Sequence, residues 1–405
     1  MVLLRLLAVI AVVLLCQARF AAADGHPLAN LDAHAEQSLR FWKAPGMMVS
    51  VVKDDAVVQA KGYGVRRLGA PDRVDERTLF SIGSTSKAFA AATVAVLVGD
   101  GEVAWTDPVR QYLPWLQVYD EYVARQLTVR DMLSGTLGTW YNDENRLRRY
   151  AKDSRDILER GKAIKPKASF RSGFVYTNNM FIASGMLVEE VAGTSWNDFA
   201  RERLWRPLGM ASTTASADEA WASGNAAQGH RGKFNKLPKP QPYEYCDEVC
   251  VPSGGVNTNA VDIAQWLRFQ LGDGSFAGQT IIESTAFAEM HRPQSIMRPV
   301  EKASGVYVPF PSTDLDRWGV SRAAYGFGWG MFDYKGKTIL WHSGGANYTA
   351  SYVLLVPEDA LGIFVSTNRY EAKNSVSMAM HILDAYLGGE QTDWNQAFFA
   401  EKQKN

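Results

Sequence analysis

The chain has 405 residues, of which 46% are hydrophobic and 21% charged, an ordinary globular composition that supplies a core for one large domain or two intimate subdomains. Lysine plus arginine balance aspartate plus glutamate at 43 each, so no charge excess directs the protein to nucleic acid or to an anionic membrane. Its frequent glycines and aromatics suit sheet, short loops and a lined cleft better than a helical bundle.

In chain order, the first residues read as an export signal. Arg5 gives a modest positive start, Leu6 to Leu15 is an unbroken apolar run, and Ala21-Ala22-Ala23 offers a cleavage site before Asp24. The run is too short to span a bilayer comfortably, and the bulky Leu15 before Cys16 argues against lipid attachment there. The expectation is a signal peptide over 1–23 and a periplasmic or extracellular protein with no membrane span after cleavage. Leu28, Leu31, Ala35, Leu39 and Trp42 then form one face of a helix that Pro45-Gly46 ends. Met47 to Val52 and Ala56 to Tyr63 read as a strand hairpin turning at Lys53-Asp54-Asp55.

The middle of the chain is mostly helical. Thr128 and Asn259 are each followed three residues on by an acid, as helix N-caps are. The second opens a helix carrying Ile263, Trp266 and Leu267 that Gly272 stops. Strands return over Tyr325 to Tyr334, Thr338 to Trp341, Tyr348 to Val356 and Leu361 to Thr367, before a last helix from about Asn374 to Leu387. The expected fold is therefore α/β (α+β). An antiparallel sheet built from both chain ends is flanked by terminal helices and carries a large, mostly helical insertion. The boundaries read as one catalytic domain over 24–390, its α/β part about 28–80 plus 325–390 and its helical part about 81–324, with a tail over 391–405. A cleft between the two parts is the natural place for a site.

Three segments carry chemistry. In the first, Ser84 precedes an apolar helix and Lys87 lies one turn on, on the same side. A lysine in a dry site favours its neutral form and can take a serine's proton, while a helix N-terminus points N–H groups at the serine oxygen. In the second, Tyr176 and Asn178 share one face if the segment is extended. A phenol beside an ammonium loses its proton more readily, which makes Tyr176 a candidate shuttle, and Asn178 can hold both Lys87 and a substrate amide. In the third, His342, Gly344 and Gly345 end a strand whose glycines let substrate approach the backbone closely. The six histidines show no metal-ligand spacing, and no phosphate-binding loop or cofactor motif occurs. Cys246 and Cys250 sit four residues apart; in an oxidising compartment a local disulfide and a pair of free thiols both fit.

Together, Ser84-x-x-Lys87, Tyr176-x-Asn178 and His342-x-Gly344 resemble the three motifs of the serine β-lactamase and penicillin-binding superfamily. The similarity is greatest to the branch of class C β-lactamases, D-amino-acid-specific peptidases and β-lactamase-type esterases. Asp107-Pro108-Val109, Leu127 to Asp131, Pro207 to Met210 and Pro252 to Val256 extend the resemblance from about Leu28 to Leu387. It implies that Ser84 attacks a carbonyl, that the N–H groups of Ser84 and Gly345 form the oxyanion hole, that Lys87 and Tyr176 handle protons, and that water releases the acyl group. Two departures stand out. The loop after Asp131 reads Met132-Leu133-Ser134-Gly135-Thr136-Leu137-Gly138, where relatives carry a His and a Ser-Gly-Leu, and His342 stands where β-lactamases and transpeptidases place Lys. The expected activity is hydrolysis of esters or D-amino-acid-containing amides and peptides, with a small-molecule or peptide substrate. The alternatives are a DD-carboxypeptidase or β-lactamase on the same fold, or a non-catalytic peptidoglycan- or peptide-binding pseudoenzyme.

Overall fold

The computed structural model describes residues 27–148, 150–233, 236–242, 251–297, 320, 322–389 and 391–404. Helix α1 (Leu31–Trp42) buries Leu31, Ala35, Leu39 and Trp42 of the apolar stripe read from sequence, while Leu28 lies in the turn before it. Strands β1 (Gly46–Lys53) and β2 (Ala56–Gly64) follow as the expected hairpin, with Asp54 and Asp55 at positive φ in its turn. After a 3-10 turn at Gly83–Ser86 comes α2 (Lys87–Gly99), whose side chains are buried from Lys87 through Leu97. Its apolar surface has no solvent face, which makes it the central helix of the molecule.

The capping signals hold where they were read. Helix α3 (Val129–Leu133) begins at a full capping box between Thr128 and Asp131. Helices α4 (Tyr141–Arg148) and α5 (Asn179–Ala192) follow, and α6 (Ala260–Leu271) starts at Asn259, whose side chain accepts from the Asp262 N–H. The further strands of the main sheet are β3 (Ser295–Ile296), β4 (Ala323–Tyr325), β5 (Gly330–Tyr334), β6 (Lys337–Ala346), β7 (Thr349–Val356) and β8 (Leu361–Thr367). They join the first hairpin in an eight-stranded antiparallel sheet in the order β2-β1-β8-β7-β6-β5-β4-β3. The first and last thirds of the chain therefore meet at the β1–β8 seam, where Met47 pairs with Thr367 and Lys53 with Leu361. Strands β7 and β8 are buried along their whole length, which requires cover on both faces. Helix α6 packs on β1, β2 and β8, and α1 packs with α7 (Ala372–Leu387) on the same sheet.

Three expectations need correction. The run Tyr325 to Tyr334 is two strands, because Gly326 to Trp329 form a turn closed by the Gly326 N–H donating to the Trp329 carbonyl. Strand β6 does not end at Trp341 but continues through both glycines to Ala346, since β7 supplies partners as far as Ala346–Thr349. The segment from 391 on carries a helix, α8 (Trp394–Lys404), that seals the core with Trp394 and Phe398. The Asn395 amide oxygen accepts from Ser38, Trp42 and Ser377, which ties that helix to α1 and α7.

Candidate active site

Ser84 sits in the 3-10 turn rather than inside the helix, half-buried at the N-terminal end of α2. Two glycines let this turn lie backbone to backbone against β6. Gly83 has φ +54°, and a Cβ there would fall 2.3 Å from the Gly345 nitrogen. A Cβ on Gly344 would fall 2.0 Å from the Ile82 carbonyl oxygen. Neither position admits a side chain without displacing backbone. The turn is also tied to β7: Ser351 Oγ donates to the Ile82 carbonyl at 2.6 Å and Thr349 Oγ1 to the Ser81 carbonyl at 2.5 Å. Strand β5 pairs with β6 only as far as Trp341. Among the described residues, that edge of β6 has no neighbouring strand from His342 to Ala346, and it faces the Ser84 turn.

Lys87 is wholly enclosed, at 0% exposure. Its Nζ lies 2.8 Å from Asn178 Oδ1, 2.8 Å from the Ser253 carbonyl oxygen and 3.3 Å from Ser84 Oγ. Burial disfavours the ammonium and lowers its pKa to about 7; the charge of Glu144 opposes the fall and that of Arg148 adds to it. The segment Pro252 to Val256 thus contributes a carbonyl to the site, a role its sequence does not advertise.

Tyr176 and Asn178 both reach Lys87, though not as neighbours on a strand. Asn178 is the N-cap residue of α5, and Tyr176 precedes it in irregular chain. The Lys87 Nζ stands 4.7 Å from the centre of the Tyr176 ring. Among the described residues the buried Tyr176 hydroxyl meets no partner at full hydrogen-bond geometry, although the Ser84 hydroxyl is near it. Burial holds it well above the ordinary phenol range, and the nearby Ser84 hydroxyl pulls the other way without winning. The expectation that the ammonium would promote loss of the phenol proton is therefore overturned. Desolvation dominates and holds the Tyr176 phenol in its neutral form.

His342 is also in the site but is not free within it. It is 4% exposed. Its Nδ1 lies 2.7 Å from the Ser343 carbonyl oxygen, which can only accept, so the ring proton is on Nδ1. The Tyr325 hydroxyl, 3.1 Å from Nε2, then donates to that nitrogen. Burial first, and then the nearby Lys87, lower its pKa to about 3, so the imidazole is neutral. Both ring nitrogens are occupied, so neither is left to bind or polarise a substrate.

The loop after Asp131 forms the wall behind Tyr176. The Gly135 carbonyl accepts from Val175 N–H at 2.8 Å and the Thr136 carbonyl from Arg171 N–H at 2.9 Å. The Arg171 guanidinium in turn clasps Asp131, at 2.8 and 2.6 Å. Sequence reading missed one residue here, Glu144. It lies among Asp143, Asn145 and Arg146 and reads as part of a solvated charged face, yet it is 1% exposed. Among the described residues no group of three His, Cys, Asp or Glu side chains is placed to hold a metal, and no helix is long and apolar enough to cross a membrane. Cys246, Cys250 and the expected signal segment lie outside the described residues.

A family model described as Beta-lactamase matches residues 31–387. The chain is 30% identical over 390 residues to the unguisins hydrolase ungD' of Aspergillus campestris (strain IBT 28561), covering 92% of this chain and 68% of that one. It is 28% identical over 332 residues to penicillin-binding protein 4 of Amycolatopsis lactamdurans, covering 80% and 81%. Among solved structures, the octameric penicillin-binding protein homologue from Pyrococcus abyssi superimposes with a TM-score of 0.73 over 93% of this chain and 80% of that one, at 22% identity. That last likeness is one of fold.

Proposed function

The chain belongs to the β-lactamase family, a family of hydrolases, and from that premise we propose that it is an exported serine hydrolase working through a Ser84 acyl-enzyme on esters or D-amino-acid-containing amides and peptides. The observation that carries this reading is the surroundings of the Lys87 amine. A neutral amine has two N–H donors and one lone pair. The Asn178 and Ser253 oxygens take the two donors, which leaves the lone pair for the proton of Ser84. Lys87 removes that proton as Ser84 Oγ forms its bond to the substrate carbonyl carbon. The oxygen's developing charge falls between the Ser84 turn and the uncovered edge of β6, where the N–H groups of Ser84 and Gly345 stabilise it. The proton then passes to the leaving group, with the neutral Tyr176 phenol beside the path, and water repeats the sequence to free the acyl group. Export rests on the Arg5, Leu6 to Leu15 and Ala21-Ala22-Ala23 pattern.

His342 supports the substrate class. A neutral, doubly occupied imidazole offers no fixed cation to a carboxylate beside a lactam ring. The expected outcome is a kcat/KM for p-nitrophenyl esters well above that for nitrocefin at pH 7.5, with both lost in Ser84→Ala. Nitrocefin turnover exceeding ester turnover refutes the substrate class; undiminished ester turnover in Ser84→Ala refutes the serine mechanism.

A further inference from the structure

Glu144 sits on α4, outside every motif of the site, and is buried. Four donors converge on it. Oε1 accepts from Thr139 Oγ1 at 3.0 Å and Thr177 Oγ1 at 2.6 Å; Oε2 accepts from the N–H groups of Asn178 at 2.6 Å and Asn179 at 3.1 Å. The two amide donors open α5, whose N-cap Asn178 makes no side-chain cap of its own. Its side-chain oxygen is turned instead to Lys87 at 2.8 Å. Glu144 therefore does for α5 what an N-cap side chain does elsewhere: it satisfies orphan N–H groups and places a negative charge at the positive end of the helix dipole. That substitution releases Asn178 to hold the lysine.

We propose, on the reading of Ser84 and Lys87 given above, that Glu144 is the positioning residue of this site, an anionic clamp that fixes the Tyr176–Asn178 segment and aims Asn178 at Lys87. The chain of contacts runs from the Glu144 carboxylate to the Asn178 backbone, from the Asn178 amide oxygen to Lys87, and from Lys87 to Ser84. Glu144 itself makes no hydrogen bond to Ser84 or Lys87 and acts through Asn178. Its second effect is electrostatic. Among the described residues, the charged and titratable groups facing Lys87 are Glu144 and Arg148 on α4, Tyr176 before α5, and His342 on β6. Among them only Glu144 is negative, and only it favours the ammonium. Burial raises the pKa of Glu144 itself and its four donors oppose that rise; the Asn178 and Asn179 N–H groups can only donate, so Oε2 is held as an acceptor.

The test is the pH profile of kcat/KM for a p-nitrophenyl ester in wild type, Glu144→Gln and the isosteric pair Thr139→Val/Thr177→Val. Glutamine keeps the shape and an acceptor oxygen, and its amide can donate to the two threonine hydroxyls, which turn to accept. With the charge gone, the acidic limb moves to lower pH by roughly one unit, while kcat falls with KM little changed. The valine pair weakens the hold on the carboxylate and moves the limb the same way by less. A purely structural role lowers activity without moving the limb. If every folded variant keeps the wild-type limb, the proposal is overturned. Fluorophosphonate labelling of the same proteins separates the two levels. A wild type that labels at Ser84 with an unmoved limb in the variants refutes the clamp alone, whereas a wild type that does not label refutes the parent reading and the clamp with it.

Discussion

A solitary ammonium inside a protein is costly to keep charged, and Lys87 meets that cost by losing its proton near pH 7. Since the reactive form is the neutral amine, kcat/KM is expected to rise with pH through about 7 and to level off above it. A pH-rate profile with no inflection between 6 and 8 contradicts a Lys87 base. Lys87→Arg retains the charge at every accessible pH and so removes the base without removing the cation; the expected loss is on the order of 10²–10⁴ in kcat. The spacing of Ser84 and Lys87, and of Tyr176 and Asn178, was enough to nominate these residues, because motif chemistry is local. The state of His342 was not legible. It depends on Tyr325, which comes from β4 across the sheet and belongs to no motif. Glu144 was hidden for a related reason. A carboxylate in a charged stretch looks solvated until the tertiary fold brings Thr139, Thr177 and the start of α5 around it.

Among the elements, the relation of the Ser84 turn to β6 decides whether the site exists. Gly344 lies where any Cβ meets the Ile82 carbonyl and Ser351 Oγ at 2.0 and 2.4 Å. Gly344→Ala must push β6 off the turn, widening the gap in which the oxyanion is held, and losing a donor of this kind costs about 10²–10³ in rate. Gly345→Ala is the informative contrast. The nearest atom to its added Cβ, at 2.9 Å, belongs to the exposed Tyr370 ring, which can swing away. The expected order of ester turnover is wild type, then Gly345→Ala, then Gly344→Ala far below; equal losses at the two positions contradict the close-packing account. The hairpin, the two capped helices and the terminal strands were readable because each rests on local pattern. The break after Tyr325 was not, since its apolar residues continue on both sides and only Gly326 and Gly328 hint at the turn.

For the whole molecule, the sheet draws β1 and β2 from the start of the chain and β4 to β8 from its end, so its two ends must meet before the cleft can form. The insertion then carries Tyr176, Asn178, Glu144 and Ser253 to the other side of Ser84. That architecture was visible in the sequence as strands at both ends with helices between them, while the docking of α8 was not, because its Trp394 and Phe398 find their partners only on the folded core. The central claim is covalent: Ser84 carries the acyl group between attack and release. The measurement that tests it most directly is rapid acid quench of a p-nitrophenyl ester reaction, followed by intact mass and peptide mapping. The expected result is a mass gain equal to the acyl group, mapped to the peptide holding Ser84, kinetically competent and missing in Ser84→Ala. Substrate turnover with the adduct on another residue, or with full activity in Ser84→Ala, would contradict it.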